Sequence, residues 1–127
     1  MSFGAVDAAR FGESRLRTLC RRALPPAVLV VLVLSVIRTA QPLPGQYGDK
    51  IEHALAFFVL AALAGIGHAG SALASRLMIA LIGYGLLIEC IQWCIPWREF
   101  SLLDWAADAM GVLCWLLLAW LRRRVMR

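Results

Sequence analysis

Four acids and one histidine stand where the surrounding chain is oily. Glu89 lies within "GLLIECIQWCI", Asp104 and Asp108 within "SLLDWAADAMG", and Asp49 and His53 within "GDKIEHALAFF". A carboxylate at the centre of a membrane span is disfavoured by about 2.5–3.5 kcal/mol, less toward the interface. Some of these acids have ordinary explanations. Asp49-x-x-Glu52 and Ser101-x-x-Asp104 match helix N-terminal capping patterns. Acids also suit the positive end of a helix dipole. Capping accounts for Glu52 and competes with a functional role at Asp49 and Asp104. Glu89 and Asp108 cannot cap, so they need partners. The cations within reach in sequence are Lys50, a protonated His53 and Arg98.

The spacing gathers these groups on helix faces. Asp49 and His53 are four apart, Glu89 and Gln92 three apart, and Asp104 and Asp108 four apart with Gly111 next on that face. In that arrangement His53 is a candidate general acid or base, with Asp49 and Glu89 beside it. Glu89, Asp104 and Asp108 complete the candidate catalytic set. Asp49, Lys50, Gln92 and Arg98 form the candidate substrate-binding set. Lys50 and Arg98 could hold an anionic head group such as a lipid phosphate. A divalent metal on His53, Glu89, Asp104 and Asp108 is a variant, since carboxylate-rich sites suit Mg or Mn. The residue types do not fix a cofactor. Ser101 and the cysteines lack a base partner in sequence. Two other chemistries stay open. The same groups could bind or pass a head group or a proton, or they could only hold helices together, at about 0.6 kcal/mol per polar contact.

The elements that must position these groups are membrane spans. The chain has 127 residues, of which 61% are hydrophobic, and a mean hydropathy of +0.75. That is one domain's length, with more apolar surface than a soluble domain of this size can hide. Four runs approach the roughly 20 residues a span needs: about 24–39, 51–67, 73–95 and 102–121. Pro25 and Pro26 suit the start of the first. Its end, "VIRTAQP", is a poor cleavage site, so the run reads as a retained helix and not a signal peptide. Residues 41–49, "GHAGSALAS" and "PWREFS" read as connections. There is no internal repeat. Short connections impose an all-α fold, a four-helix transmembrane antiparallel bundle. Residues 1–23 form a basic arm, 24–121 the bundle and 122–127 a basic tail.

Charge sets the expected orientation. Arg10, Arg15, Arg17, Arg21 and Arg22 precede the first run, and Arg122, Arg123, Arg124 and Arg127 follow the last. Basic clusters beside apolar spans place both ends in the cytoplasm. The same distribution explains the net charge of +5 without nucleic acid. Six of the eight acids, Asp49, Glu52, Glu89, Glu99, Asp104 and Asp108, then fall at or near the outer end. Tyr47, Trp93, Trp97 and Trp105 make an outer aromatic belt and Trp120 an inner one. With the third run ending near Pro96, Glu89 would sit about 9 Å inside that end. Cys20, Cys90, Cys94 and Cys114 fit neither a redox motif nor a zinc ribbon and read as buried thiols acting as small hydrophobes. Ala61-x-x-x-Gly65 and Ala107-x-x-x-Gly111 permit close helix contact.

The ordered set Asp49, Lys50, His53, Glu89, Gln92, Pro96, Arg98, Asp104 and Gly111 resembles the pattern of the VanZ-like family of small bacterial membrane proteins. The resemblance covers about residues 40–120. It departs at Asp108, where the family often has Asn. The family takes its name from a protein linked to resistance to the glycopeptide teicoplanin. The resemblance therefore implies a cell-envelope role at the outer face of the bacterial cytoplasmic membrane. The implied partners are membrane lipids and a lipid-linked envelope precursor. It implies no particular reaction, and leaves open whether the chain is an enzyme, a transporter or an accessory, and whether it forms oligomers.

Overall fold

The computed structural model describes residues 3–37 and 47–126, with side chains described from residue 10 onward. Among these residues every regular element is a helix: α1 (Phe3–Val36), α2 (Gly48–Gly67), α3 (Ala72–Trp93) and α4 (Leu102–Val125). Each is long and apolar enough to cross a membrane. The fold is thus the expected four-helix bundle of a multi-pass membrane protein.

The main departure is at the first helix. It does not begin near Leu24; Pro25 and Pro26 lie well inside it. The arm upstream is rich in Ala, Arg and Leu, all strong helix formers. It is helical before the prolines are reached. Each proline lacks an amide donor, which membrane helices tolerate. Beyond them Leu24, Ala27, Val28, Val31 and Leu32 still pack against the core. There is therefore no backbone break at residues 23–24. The loop expected at 41–49 lies mostly outside the described residues, although Gly48 and Asp49 already belong to α2. α3 ends at Trp93, earlier than expected, so Glu89 sits only about 6 Å from its end.

The core sits around α2. Phe57, Leu60, Ala61 and Ala64 repeat at helical spacing, which puts them on one stripe. That stripe meets Met78, Leu81 and Ile88 of α3 and Val112 of α4. The outer faces are apolar too: Ile79 is 73% exposed, and Leu55 and Leu117 are also exposed. Oil outside as well as inside is what a bilayer solvent requires.

Hydrogen bonds fix the directions of the helices. Arg21 Nε donates to Gly67 O at 2.5 Å, joining the middle of α1 to the end of α2. Gln92 Nε2 donates to Ser35 O at 3.0 Å, joining the ends of α1 and α3. α1 and α3 therefore run one way, and α2 and α4 the other. α2 and α4 are also in close contact. A β-carbon on Gly111 would collide with the carbonyl oxygen of Ala54 and lie 2.9 Å from the Phe58 nitrogen. Only a glycine lets the two backbones approach so closely.

Candidate functional site

The parallel course of α2 and α4 builds two polar rungs. Lys50 is in the first turn of α2 and Asp104 in the first turn of α4. Lys50 Nζ lies 2.9 Å from Asp104 Oδ1 and 3.2 Å from Asp49 Oδ2. One turn deeper, His53 Nδ1 lies 2.9 Å from Asp108 Oδ1. With Asp108 ionised, and so only an acceptor, Nδ1 carries the hydrogen of this contact. Lys50 and His53 are three apart and Asp104 and Asp108 four apart, both within one turn. Two helices running the same way can therefore pair twice in register.

α3 supplies the third side. Glu89 is fully buried, as is Asp108. One ring nitrogen of His53 and one carboxylate oxygen each from Glu89 and Asp108 lie within 4.8 Å of one another. Gly85, one turn before Glu89, makes room: a β-carbon there would lie 2.7 Å from Asp108 Oδ2. The connection after α3 folds back over the cluster. The backbone N–H of Ser101 donates to Glu89 Oε2 at 2.8 Å. Ser101 Oγ in turn accepts from the Asp104 N–H at 3.2 Å and caps α4, so the Ser101-x-x-Asp104 pattern does cap.

Two oxygens remain. Glu89 Oε1 and Asp108 Oδ2 are buried without a hydrogen-bond partner. Buried polar atoms are nearly always satisfied, so a pair of orphans on one cluster marks unused binding capacity. It suits a proton, a cation or a ligand hydroxyl.

Other expected site residues are placed differently. Asp49 does not hold the cap position of α2: Tyr47 does, and its side chain makes no cap bond. Asp49 instead flanks Lys50. Asp104 is engaged with Lys50 and lies outside the metal-capable trio of His53, Glu89 and Asp108. Gln92 is buried but directs its amide to α1. Arg98 also turns to α1, where Nη2 donates to Ile37 O at 3.4 Å. Gln92 and Arg98 therefore tie α1 to the bundle. Arg38 lies outside the described residues. Cys90, Cys94 and Cys114 are exposed free thiols and Cys20 is buried. Cys94 Sγ bonds to the Cys90 carbonyl oxygen at 3.5 Å. Trp93, Trp97 and Tyr47 are exposed, as a belt requires. Trp105 is not simply part of that belt, because its Nε1–H donates to Ile82 O at 3.0 Å.

Three contributors were not legible in sequence: the Ser101 backbone N–H, the missing side chain of Gly85, and the Tyr84 hydroxyl, which donates to Val28 O at 2.6 Å. The first two act through backbone or through absence, which residue type does not signal. Tyr84 had one signal, a lone phenol in an apolar run, since a buried tyrosine hydroxyl usually finds a partner.

Compared with protein-family models, curated proteins and solved structures, the chain gives no match. The chemistry of the site therefore rests on its own geometry: a histidine beside two buried carboxylates, with a lysine held between two further acids nearer the helix ends.

Proposed function

We propose that the chain is a VanZ-like protein of the bacterial cytoplasmic membrane with both termini cytoplasmic. In this reading the His53–Glu89–Asp108 cluster faces outward and binds or acts on a cell-envelope component. The substrate is a lipid-linked or phosphate-bearing head group, and the phenotype is altered susceptibility to teicoplanin. The observation that carries the proposal is the pair of orphan carboxylate oxygens beside His53. Burying two acids and leaving their acceptors unused is disfavoured, and a bound polar group removes the penalty. The polar pattern quoted above supplies the envelope assignment. His53 is placed to move a proton, and Glu89 and Asp108 to hold it or to orient the bound group. Lys50, already shared by Asp49 and Asp104, keeps the mouth of the site from being wholly anionic.

The test is native mass spectrometry of the chain released from detergent, together with teicoplanin susceptibility of cells expressing it. A retained lipid-linked species that is lost in Glu89→Gln, with a matching change in susceptibility, supports the reading. A folded wild-type chain that retains no envelope component and leaves susceptibility unchanged contradicts it.

One alternative has its own observation. Lys50, Gln92 and Arg98 all make contacts between helices or helix ends, so part of the polar set does serve assembly. If that were the whole role, Glu89→Gln would lower thermal stability in step with any loss of function.

A further inference from the structure

We propose that His53, Glu89 and Asp108 bind one divalent transition-metal ion of the zinc or manganese class. Three independent features of the cluster point to it.

The first is charge. With both carboxylates ionised and the imidazole neutral, the cluster carries two negative charges, which one divalent cation balances within a buried site. The nearby cations are otherwise committed: Lys50 to Asp49 and Asp104, and Arg98 to the end of α1. Apart from a proton on His53, the balancing cation therefore comes from outside the described chain.

The second is geometry. Two ligand atoms around a tetrahedral ion, each about 2.1 Å from it, stand about 3.4 Å apart. His53 Nδ1 and Asp108 Oδ1 are 2.9 Å apart, and the whole donor set spans no more than 4.8 Å. A contraction of under about 1.5 Å closes the set on such an ion. On binding, Nδ1 gives up its hydrogen while Nε2 takes one up, so the imidazole stays neutral and the ion takes the place between Nδ1 and Oδ1.

The third is orientation. Metal-ligating carboxylates are themselves held by hydrogen bonds. The Ser101 N–H holds Glu89 Oε2 and leaves Oε1, the orphan atom, for the ion. Gly85 leaves the space that Asp108 occupies. One imidazole with two carboxylates suits zinc, manganese or iron better than calcium, whose ligands are all oxygen. Three protein ligands leave further positions open, the mark of a reactive centre and not of a closed structural one. The proposal deepens the envelope reading because it rests on the same cluster. Metal retention is measured without any envelope component, so either can fail alone.

The test uses the full chain in mild detergent, purified without a chelator and with a tag that binds no metal. Elemental mass spectrometry after dialysis reads the bound ion. The expected result is zinc or manganese stoichiometric with the chain. Retention should fall more than tenfold in Glu89→Gln and Asp108→Asn, and stay unchanged in the exposed-loop variant Glu99→Gln. Should a ligand variant fail to fold, cobalt(II) added to the metal-stripped wild type gives a second readout. Visible ligand-field bands without a thiolate-to-metal charge-transfer band support the site. No stoichiometric metal, retention unaltered in a folded Glu89→Gln chain, or a thiolate band implicating Cys90 and Cys94 would each overturn it.

Discussion

His53 Nδ1 and Asp108 Oδ1 stand 2.9 Å apart across 55 positions of sequence, one rung below the pairing of Lys50 with Asp104. This second rung is possible because α2 and α4 run the same way and nearly touch. The seam continues downward to Gly111, packed on the backbone of Ala54 and Phe58. A two-rung ladder between parallel spans, closed by Glu89 from α3, is the structural basis of the proposed site.

The seam predicts how glycines respond to substitution. Gly111→Ala drives a methyl into a backbone carbonyl that cannot step aside. It should destabilise the chain by about 3 kcal/mol or prevent folding, the upper end for overpacking. Gly85→Ala meets the Asp108 side chain and should lower stability by about 1–2 kcal/mol. Nothing lies within 4 Å of a β-carbon on Gly83, so Gly83→Ala should be neutral or slightly stabilising. Thermal melts in detergent rank the three, and a Gly83 variant worse than Gly111 would refute the seam.

The buried rung predicts an asymmetry. His53→Ala strands Asp108 and should destabilise by about 3 kcal/mol, the scale for one partner lost from a buried pair. Asp108→Asn keeps the size and a hydrogen bond to the ring while removing a charge. It should melt within a few degrees of the wild type. If both melted alike, the 2.9 Å contact would carry little of the energy.

The outer rung is weaker. Lys50 and Asp104 keep 25% and 14% of their side chains exposed, so solvent screens them. A double-mutant cycle with Lys50→Met and Asp104→Asn should give a coupling of about 0.5–1 kcal/mol. A coupling near zero would mean the two do not meet.

Ser101 has two separable roles. Ser101→Ala removes the hydroxyl cap on α4 but keeps the N–H that holds Glu89. Stability should fall by about 1 kcal/mol, and metal retention should persist. Hydrogen exchange should show the Ser101 amide protected in the wild type and in this variant. Rapid exchange at that amide would contradict the Glu89 bond.

Much of the fold was legible because bilayer thickness sets span length. The runs around residues 51–67, 73–95 and 102–121 each became a helix with ends moved by a few residues. The first helix was misread because Pro25 and Pro26 are favoured at helix starts, whereas here upstream residues had already formed the helix. The meeting of His53, Glu89 and Asp108 was legible from their cost in an apolar run together with up-down topology. The fate of Arg98 was not. Its charge suggested a partner for the acids, but a carbonyl at the end of α1 lies within its reach, and that geometry is set by a connection with no periodic pattern. Ser101 and Gly85 act through a backbone amide and an empty volume, which composition does not reveal.

The central claim is that His53 and Asp108 share one buried contact between α2 and α4. The most direct measurement is solid-state nuclear magnetic resonance in lipid, with ¹⁵N-labelled histidine and carboxyl-¹³C aspartate. A His68→Gln background makes His53 the sole labelled ring. The account predicts strong dipolar dephasing between the ring nitrogen and a side-chain carboxyl carbon, abolished by Asp108→Leu. No dephasing in the folded protein, or dephasing that survives Asp108→Leu, would contradict it.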